Sequence, residues 1–317
     1  MATAATSPEL LAAAPTLERA LRRPPRSLWS NAWGQFRRHR LALVGLCVFF
    51  LLLLTTLLGP LVYRTSPDAL DVSASLIGPS AQHPFGTDDL GHDLLARTLI
   101  GGRVSMAVGV VAVLIALTLG TLIGAVAGFF GGVVDNALMR ITDMFIGIPQ
   151  LPLLLLVIFL FRDALRSVFG PELGIFVMIV GVIGALNWMS LARLVRASFL
   201  SIKQKEFVEA ARCLGASNGR MILAHILPNT LSAVIVAATV TVGQAIITES
   251  TLSFLGLGFP PDVPTWGRLL YDSQNYLDNG LGLHWAIFPG LMIFLTVLSI
   301  NYVGDGLRDA LDPRKTQ

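Results

Sequence analysis

The chain has 317 residues, of which 54% are hydrophobic and 14% charged, and its mean hydropathy is +0.69. A soluble domain carries roughly 25% charged residues, so an ordinary soluble protein is excluded and an all-α polytopic membrane chain is expected. The net charge of +3 is small, and no nucleic-acid partner is expected. Cys47 and Cys213 fall on different levels, which excludes a disulfide framework. The five histidines are scattered, without metal-ligand spacing, and no metal is expected. No GxxxxGK[ST] loop occurs, so the chain lacks that route to ATP.

Residues 1–40 are polar and rich in Ala, Pro and Arg. The first apolar run starts at Leu41 and is too long for a cleavable signal. Disorder is expected first, then a short amphipathic piece around Leu28 to Phe36. The basic flank before Leu41 suits contact with anionic membrane lipid and retention on the cytoplasmic side equally well.

Six runs reach the roughly 20 residues that a helix needs to cross a bilayer. They lie near 41–63, 104–130, 141–161, 173–192, 230–250 and 284–303. With the N-terminus inside, 17 of the 23 Lys and Arg residues fall on the inner side. The positive-inside rule therefore puts both termini in the cytoplasm. Ser7, Ser217 and Lys315 are then cytoplasmic, and Ser75 and Asp278 external. The organisation follows as a tail (1–40), a first span (41–63), an external segment (64–103), a core (104–308) and a second tail (309–317).

In the external segment, Asp93 and Arg97 stand four apart, as in an amphipathic helix along the outer interface. His83 and His92 have no third histidine near them. In the second span, Gly120, Gly124 and Gly128 form a small-residue stripe for close helix contact. A sister subunit is one surface that could cover it. Pro149 and Pro152 are expected to kink the third span; a gate and a packing shape both fit. Asp135, Arg140 and Asp143 read as a salt-bridge cluster at the inner interface. Glu249, near the end of the fifth span, is an acidic candidate for a functional role.

The longest polar interruption of the second half is Glu206 to Asn229, within a loop spanning 203–229. It reads as a helix, a glycine corner and a second helix. On a helical wheel Ala210, Ala211 and Leu214 lie within about 60° of Phe207, with Lys205, Glu206, Glu209 and Arg212 opposite. Gly215 suits a left-handed cap, Ser217 can cap the next helix, and Pro228 is expected to stop or kink it. Such an element is shaped to dock onto a partner.

Glu209-Ala210-Ala211, Gly215 and Leu227-Pro228 resemble the EAA loop of ABC importer permeases. HPFGTDDLGHD, GGVVDNALMRITDMFIGIP, EFVEAARCLGAS, HILPN, ESTLSFLGLGFPPDVPTWG and GDGLRDALDPR, in order, are similar to the second-type permease subunit of dipeptide, oligopeptide and nickel importers. The similarity covers about residues 35 to 314. His92 departs from it, since the family usually has arginine there.

The resemblance implies a five-helix core preceded by one extra span. It implies a heterodimer with a sister permease, two ATPase subunits that hold ATP and Mg, and an extracytoplasmic solute-binding protein. No cofactor is expected on this chain. The resemblance also implies ATPase coupling through Phe207, Glu209, Ala210, Ala211, Leu214, Gly215 and Pro228. Asn187, Ser190, Thr241, Gln244 and Glu249 are candidates for the translocation path, although polar residues inside spans also bond neighbouring helices. Short peptides are the leading solute, with nickel, glutathione and oligosaccharide as alternatives. A secondary transporter is a second class, but no inverted repeat is visible. A membrane enzyme is a third, and lacks a nucleophile with its base at a shared depth.

Overall fold

Apolar runs bounded by Gly, Pro and charge become helices here because lipid cannot satisfy free backbone groups. A computed structural model describes residues 28–278, 280 and 282–311. The expectations for Ser7, Lys315, residues 1–27 and residues 312–317 lie outside it. Among the described residues there are helices and no strand.

The short piece foreseen after the polar start is α1, Leu28–Phe36. Helix α2 follows at Arg40–Val62, its N-terminus capped by the His39 ring, which accepts from the Ala42 N–H. Pro60 inside α2 offers no N–H to the carbonyl four residues back. Arg103 supplies the missing donor, from Nε to the Thr56 oxygen at 2.9 Å.

Helix α3 runs from Leu94 to Phe130. It begins ten residues before the expected span, so the foreseen interfacial helix is its first turns and the boundary at 103/104 falls inside it. Asp93 does not pair with Arg97. It caps α3 by accepting from the Ala96 N–H at 2.8 Å, and Arg97 turns to Asp88 instead.

The third expected span is broken. Helices α4 (Gly132–Ile146) and α5 (Gln150–Phe169) are bent by 87°. The break holds Pro149, whose missing N–H cannot continue a ladder. Next come α6 (Pro171–Lys203), α7 (Glu206–Cys213), α8 (Asn218–Phe254), α9 (Trp266–Leu277) and α10 (Leu283–Leu311). Among the described residues five helices (α2, α3, α6, α8 and α10) are long and apolar enough to cross a membrane, and the bent pair could supply a sixth span.

The glycine stripe makes the close helix contact expected of it, and makes it inside this chain, so the stripe itself is not left for a sister subunit to cover. A Cβ at Gly120 would stand 2.7 Å from that of Leu191, one at Gly124 2.8 Å from that of Val195, and one at Gly128 2.6 Å from that of Phe199. Positions rise together on both helices, so α3 and α6 run parallel with their backbones in near contact. Val108, Ala112, Ile175, Ile179 and Ile183 continue the same seam as buried core. Helices α2 and α10 run antiparallel, with Gly45 against Ser299 and Tyr302.

These pairings sort the chain into two ends. The C-termini of α3 and α6, the start of α8 and all of α7 share one end. The segment between α2 and α3, the end of α8, α9 and the start of α10 share the other.

Candidate functional site

Helix α7 is amphipathic, and the structure settles which side meets the rest of the chain. Val208 is fully buried, in a cluster with Val195, Phe199, Met221 and Ile226. Val208 is absent from the sequence-derived face, although its place one residue from Phe207 was visible. Of that face, Phe207 is 47% exposed and Leu214 88%; Ala210 is exposed and Ala211 half-buried. Glu209 is exposed at its edge. Val208 thus anchors the helix, and the Phe207–Leu214 side is left open.

The corner after α7 forms as the glycine suggested. Gly215 has φ +83°, a region that side chains with a Cβ rarely adopt. The Ala216 N–H reaches the Ala211 carbonyl at 3.1 Å and the Gly215 N–H that of Arg212 at 3.0 Å, the two bonds of a Schellman motif. Ser217 then caps α8, accepting from the Arg220 N–H. Acidic Glu206 and Glu209 lie in the first turn of α7 and Arg212 in the last, each favourable to the helix dipole.

Pro228 neither stops nor sharply ends its helix. A π-helical stretch, Met221–Ile226, precedes it within α8, and the Leu227 N–H bonds five residues back to Ile222. Such widened turns often sit at functional positions. Because Pro228 has no N–H to give, the wider turn carries the helix past it.

Helix α4 is tied to α6 at the same end. Arg196 holds both carboxylate oxygens of Asp135, at 2.5 and 2.6 Å, and Arg193 pairs with Asp143. The expected acidic positions are therefore paired, by arginines of α6 rather than by Arg140. Lys203 donates to the Phe129 carbonyl and lies over the Phe129 ring.

Of the path candidates, Asn187 and Ser190 line a hollow of about 160 Å³ together with Gln150. Gln244 lines a second hollow of about 160 Å³, again with Gln150, and with Thr248 and Thr251. Gln150 is thus the residue the two share; the sequence reading passed over it although it follows Pro149 at the break. Thr241, Gln244, Thr248 and Thr251 form one stripe on α8 by their spacing. Their threonine hydroxyls donate to α8's own carbonyls, as Thr241 does to Ala237 at 2.8 Å. The Asn187 amide likewise bonds the Ile183 carbonyl.

Glu249 stands apart from this group. It is fully buried, and its carboxylate accepts from Ser105 at 3.0 Å and Ser253 at 2.8 Å. Its position is an interior polar joint, away from any open face.

At the opposite end, Asp88 gathers His92 Nδ1 at 2.7 Å and Arg97 Nη1 at 2.8 Å. Arg97 Nη2 also donates to the Pro261 carbonyl at 2.7 Å. His92 therefore takes part in a polar cluster where the family pattern has arginine. His83 pairs with Asp93, which also accepts from the Tyr63 hydroxyl at 2.7 Å. Burial pushes the Asp272 carboxyl above its ordinary range, against the pull of Arg268. A hydrogen bond to Asp89 holds the Tyr276 hydroxyl above its own.

Residues 120–317 match the family described as binding-protein-dependent transport system inner membrane component, and residues 27–79 match the N-terminal transmembrane domain of oligopeptide transport permease C. The chain is a permease of the binding-protein-dependent transport family. The permease is 39% identical to the dipeptide transport system permease protein DppC of Alkalihalophilus pseudofirmus, over 91% of this chain and 90% of that one. It is 37% identical to the oligopeptide transport system permease protein OppC of Bacillus subtilis, over 91% and 90%. It is 36% identical to the glutathione transport system permease protein GsiD of Pectobacterium atrosepticum, over 91% and 92%. The permease is accordingly a multi-pass membrane subunit of an ABC importer that works with other components of the transporter. No catalytic role is indicated for it.

Proposed function

We propose that this permease forms half of a translocation path for short peptides in the bacterial inner membrane, with both termini in the cytoplasm. It pairs with a sister permease. Two ATPase subunits holding ATP and Mg dock at the α7 end, and a solute-binding protein delivers solute at the other. The relatives are named for dipeptides, oligopeptides and glutathione, and all of these are peptides.

The observation that carries the coupling role is the exposed side of α7, with Phe207 and Leu214 open while Val208 roots the helix. Apolar side chains left open together on one face mark a surface for a partner. The path role rests on Asn187, Ser190, Thr241 and Gln244 around Gln150. Glu249 has no such support, because it is enclosed.

Reconstitution tests the reading. The permease, its sister and the ATPase subunits in liposomes should take up labelled dipeptide only with ATP and the binding protein present. Uptake by the permease without ATP or ATPase subunits would overturn it.

A further inference from the structure

The end opposite α7 holds a cavity of about 610 Å³ between the α2–α3 segment and α9. Its lining shares no residue with the polar hollows around Gln150. Five carboxylates line it: Asp68, Asp88, Asp89, Asp262 and Asp272. The cations on the lining are already engaged. Arg97 is held by Asp88 and Arg268 by Asp272 at 2.6 Å, and His92 lies against Asp88. Asp89 accepts from the Tyr276 hydroxyl at 3.0 Å. Asp68 and Asp262, both exposed, have no hydrogen bond or ion pair for their carboxylates among the described residues. The cavity therefore carries an excess of negative charge at its mouth.

Its inner wall makes a second and different demand. Trp285 is 1% exposed and Arg97 5%, and among the described residues the Trp285 Nε1–H and the Arg97 Nε–H have no acceptor. A buried donor left unmatched is destabilising. An inorganic cation would answer the carboxylates and leave these donors as they are. A protein segment brings a basic side chain and backbone carbonyls together.

We infer that this cavity receives a Lys- or Arg-bearing loop of the extracytoplasmic solute-binding protein, with Asp68 and Asp262 meeting the basic side chain. This rests on the proposed topology, which puts the cavity outside. Exposed charges at an interface act mainly on encounter rate and on partner choice, so the pair would help select the cognate binding protein. Arg97 and Trp285 shape the receiving wall.

The test uses the complete transporter in nanodiscs, with ATPase activity followed as the binding protein is titrated. Stimulation of the wild type by its binding protein tests the importer reading itself. Within that system, Asp68→Lys with Asp262→Lys should raise the half-maximal concentration of binding protein by on the order of tenfold. Basal ATPase activity should stay unchanged, because both side chains are exposed and distant from α7. Asp68→Asn with Asp262→Asn should give a smaller rise. Added salt should weaken wild-type stimulation, affect the Asn variant less and strengthen stimulation of the reversed variant, since exposed charges are screened over about 10 Å at 0.1 M. An unchanged half-maximal concentration in the reversed variant would overturn the inference, even with the importer reading intact. So would a loss of uptake at unchanged half-maximal concentration, which would make the cavity a solute site.

Discussion

Ser105 of α3 donates a hydrogen bond to Glu249 of α8 at 3.0 Å, and the same hydroxyl accepts from the Trp266 N–H at 3.3 Å. One buried serine thereby joins two membrane helices to the first residue of α9. Ser253 serves the other carboxylate oxygen, so the joint is satisfied on both sides.

Glu249→Ala should destabilise the permease by about 1–3 kcal/mol, the cost of leaving buried polar partners unmatched. Glu249→Gln keeps a carbonyl acceptor and should lose much less. Melting of the purified complex in detergent checks this. Equal losses in both variants would mean that charge, rather than hydrogen bonding, holds the joint.

Gly124→Ala should impair assembly of the bundle, because its Cβ would stand 2.8 Å from that of Val195 with backbone beside it. Gly181→Ala is the matched control. It lies in α6 with open space around it, and alanine gains about 1 kcal/mol over glycine in a helix. Yields of folded protein should fall for the first and hold or rise for the second.

Changes on α7 should divide by direction. Val208→Asp puts a charge into the cluster of Phe199, Met221 and Ile226, and should lower the stability of the permease itself. Ala211→Asp and Leu214→Asp should leave the permease folded, abolish transport and weaken co-purification of the ATPase. Glu209→Ala should be milder, since an exposed ion pair contributes about 0–1 kcal/mol. Normal uptake with bound ATPase in Ala211→Asp would remove α7 from the coupling role.

Gly215→Val should fail for a reason other than space. Nothing lies within 4 Å of a Cβ there, yet φ is +83°, where a β-branched residue is strained. Gly215→Asn tolerates that region better and should retain more uptake. Similar losses in both would point to a contact with the partner at this corner.

Orientation is open to thiol labelling. Ser217 and Asp278 are exposed, at opposite ends of the bundle. Replaced singly by cysteine, in a chain lacking Cys47 and Cys213, position 278 should react with an impermeant reagent in intact cells and position 217 only after lysis. The reverse pattern would invert the topology, and with it the outer cavity.

Local signals settled most of the elements. Apolar runs longer than a bilayer's thickness had to become helices, for want of any other partner for their backbone groups. Gly215 and Ser217 marked the corner after α7 because their roles are local, within five residues along the chain. What the sequence could not assign was partners far apart. The glycine stripe announced close packing, but not that Leu191, Val195 and Phe199 of the same chain would fill it. Ser105 and Glu249 lie 144 residues apart, and Asp135 and Arg196 lie 61 apart. Only the folded bundle brings those pairs within reach. The same holds for α7. Periodicity set Phe207 on a face and left Val208 out, and the packing of α3, α6 and α8 decided that Val208 turns inward and Phe207 stays open.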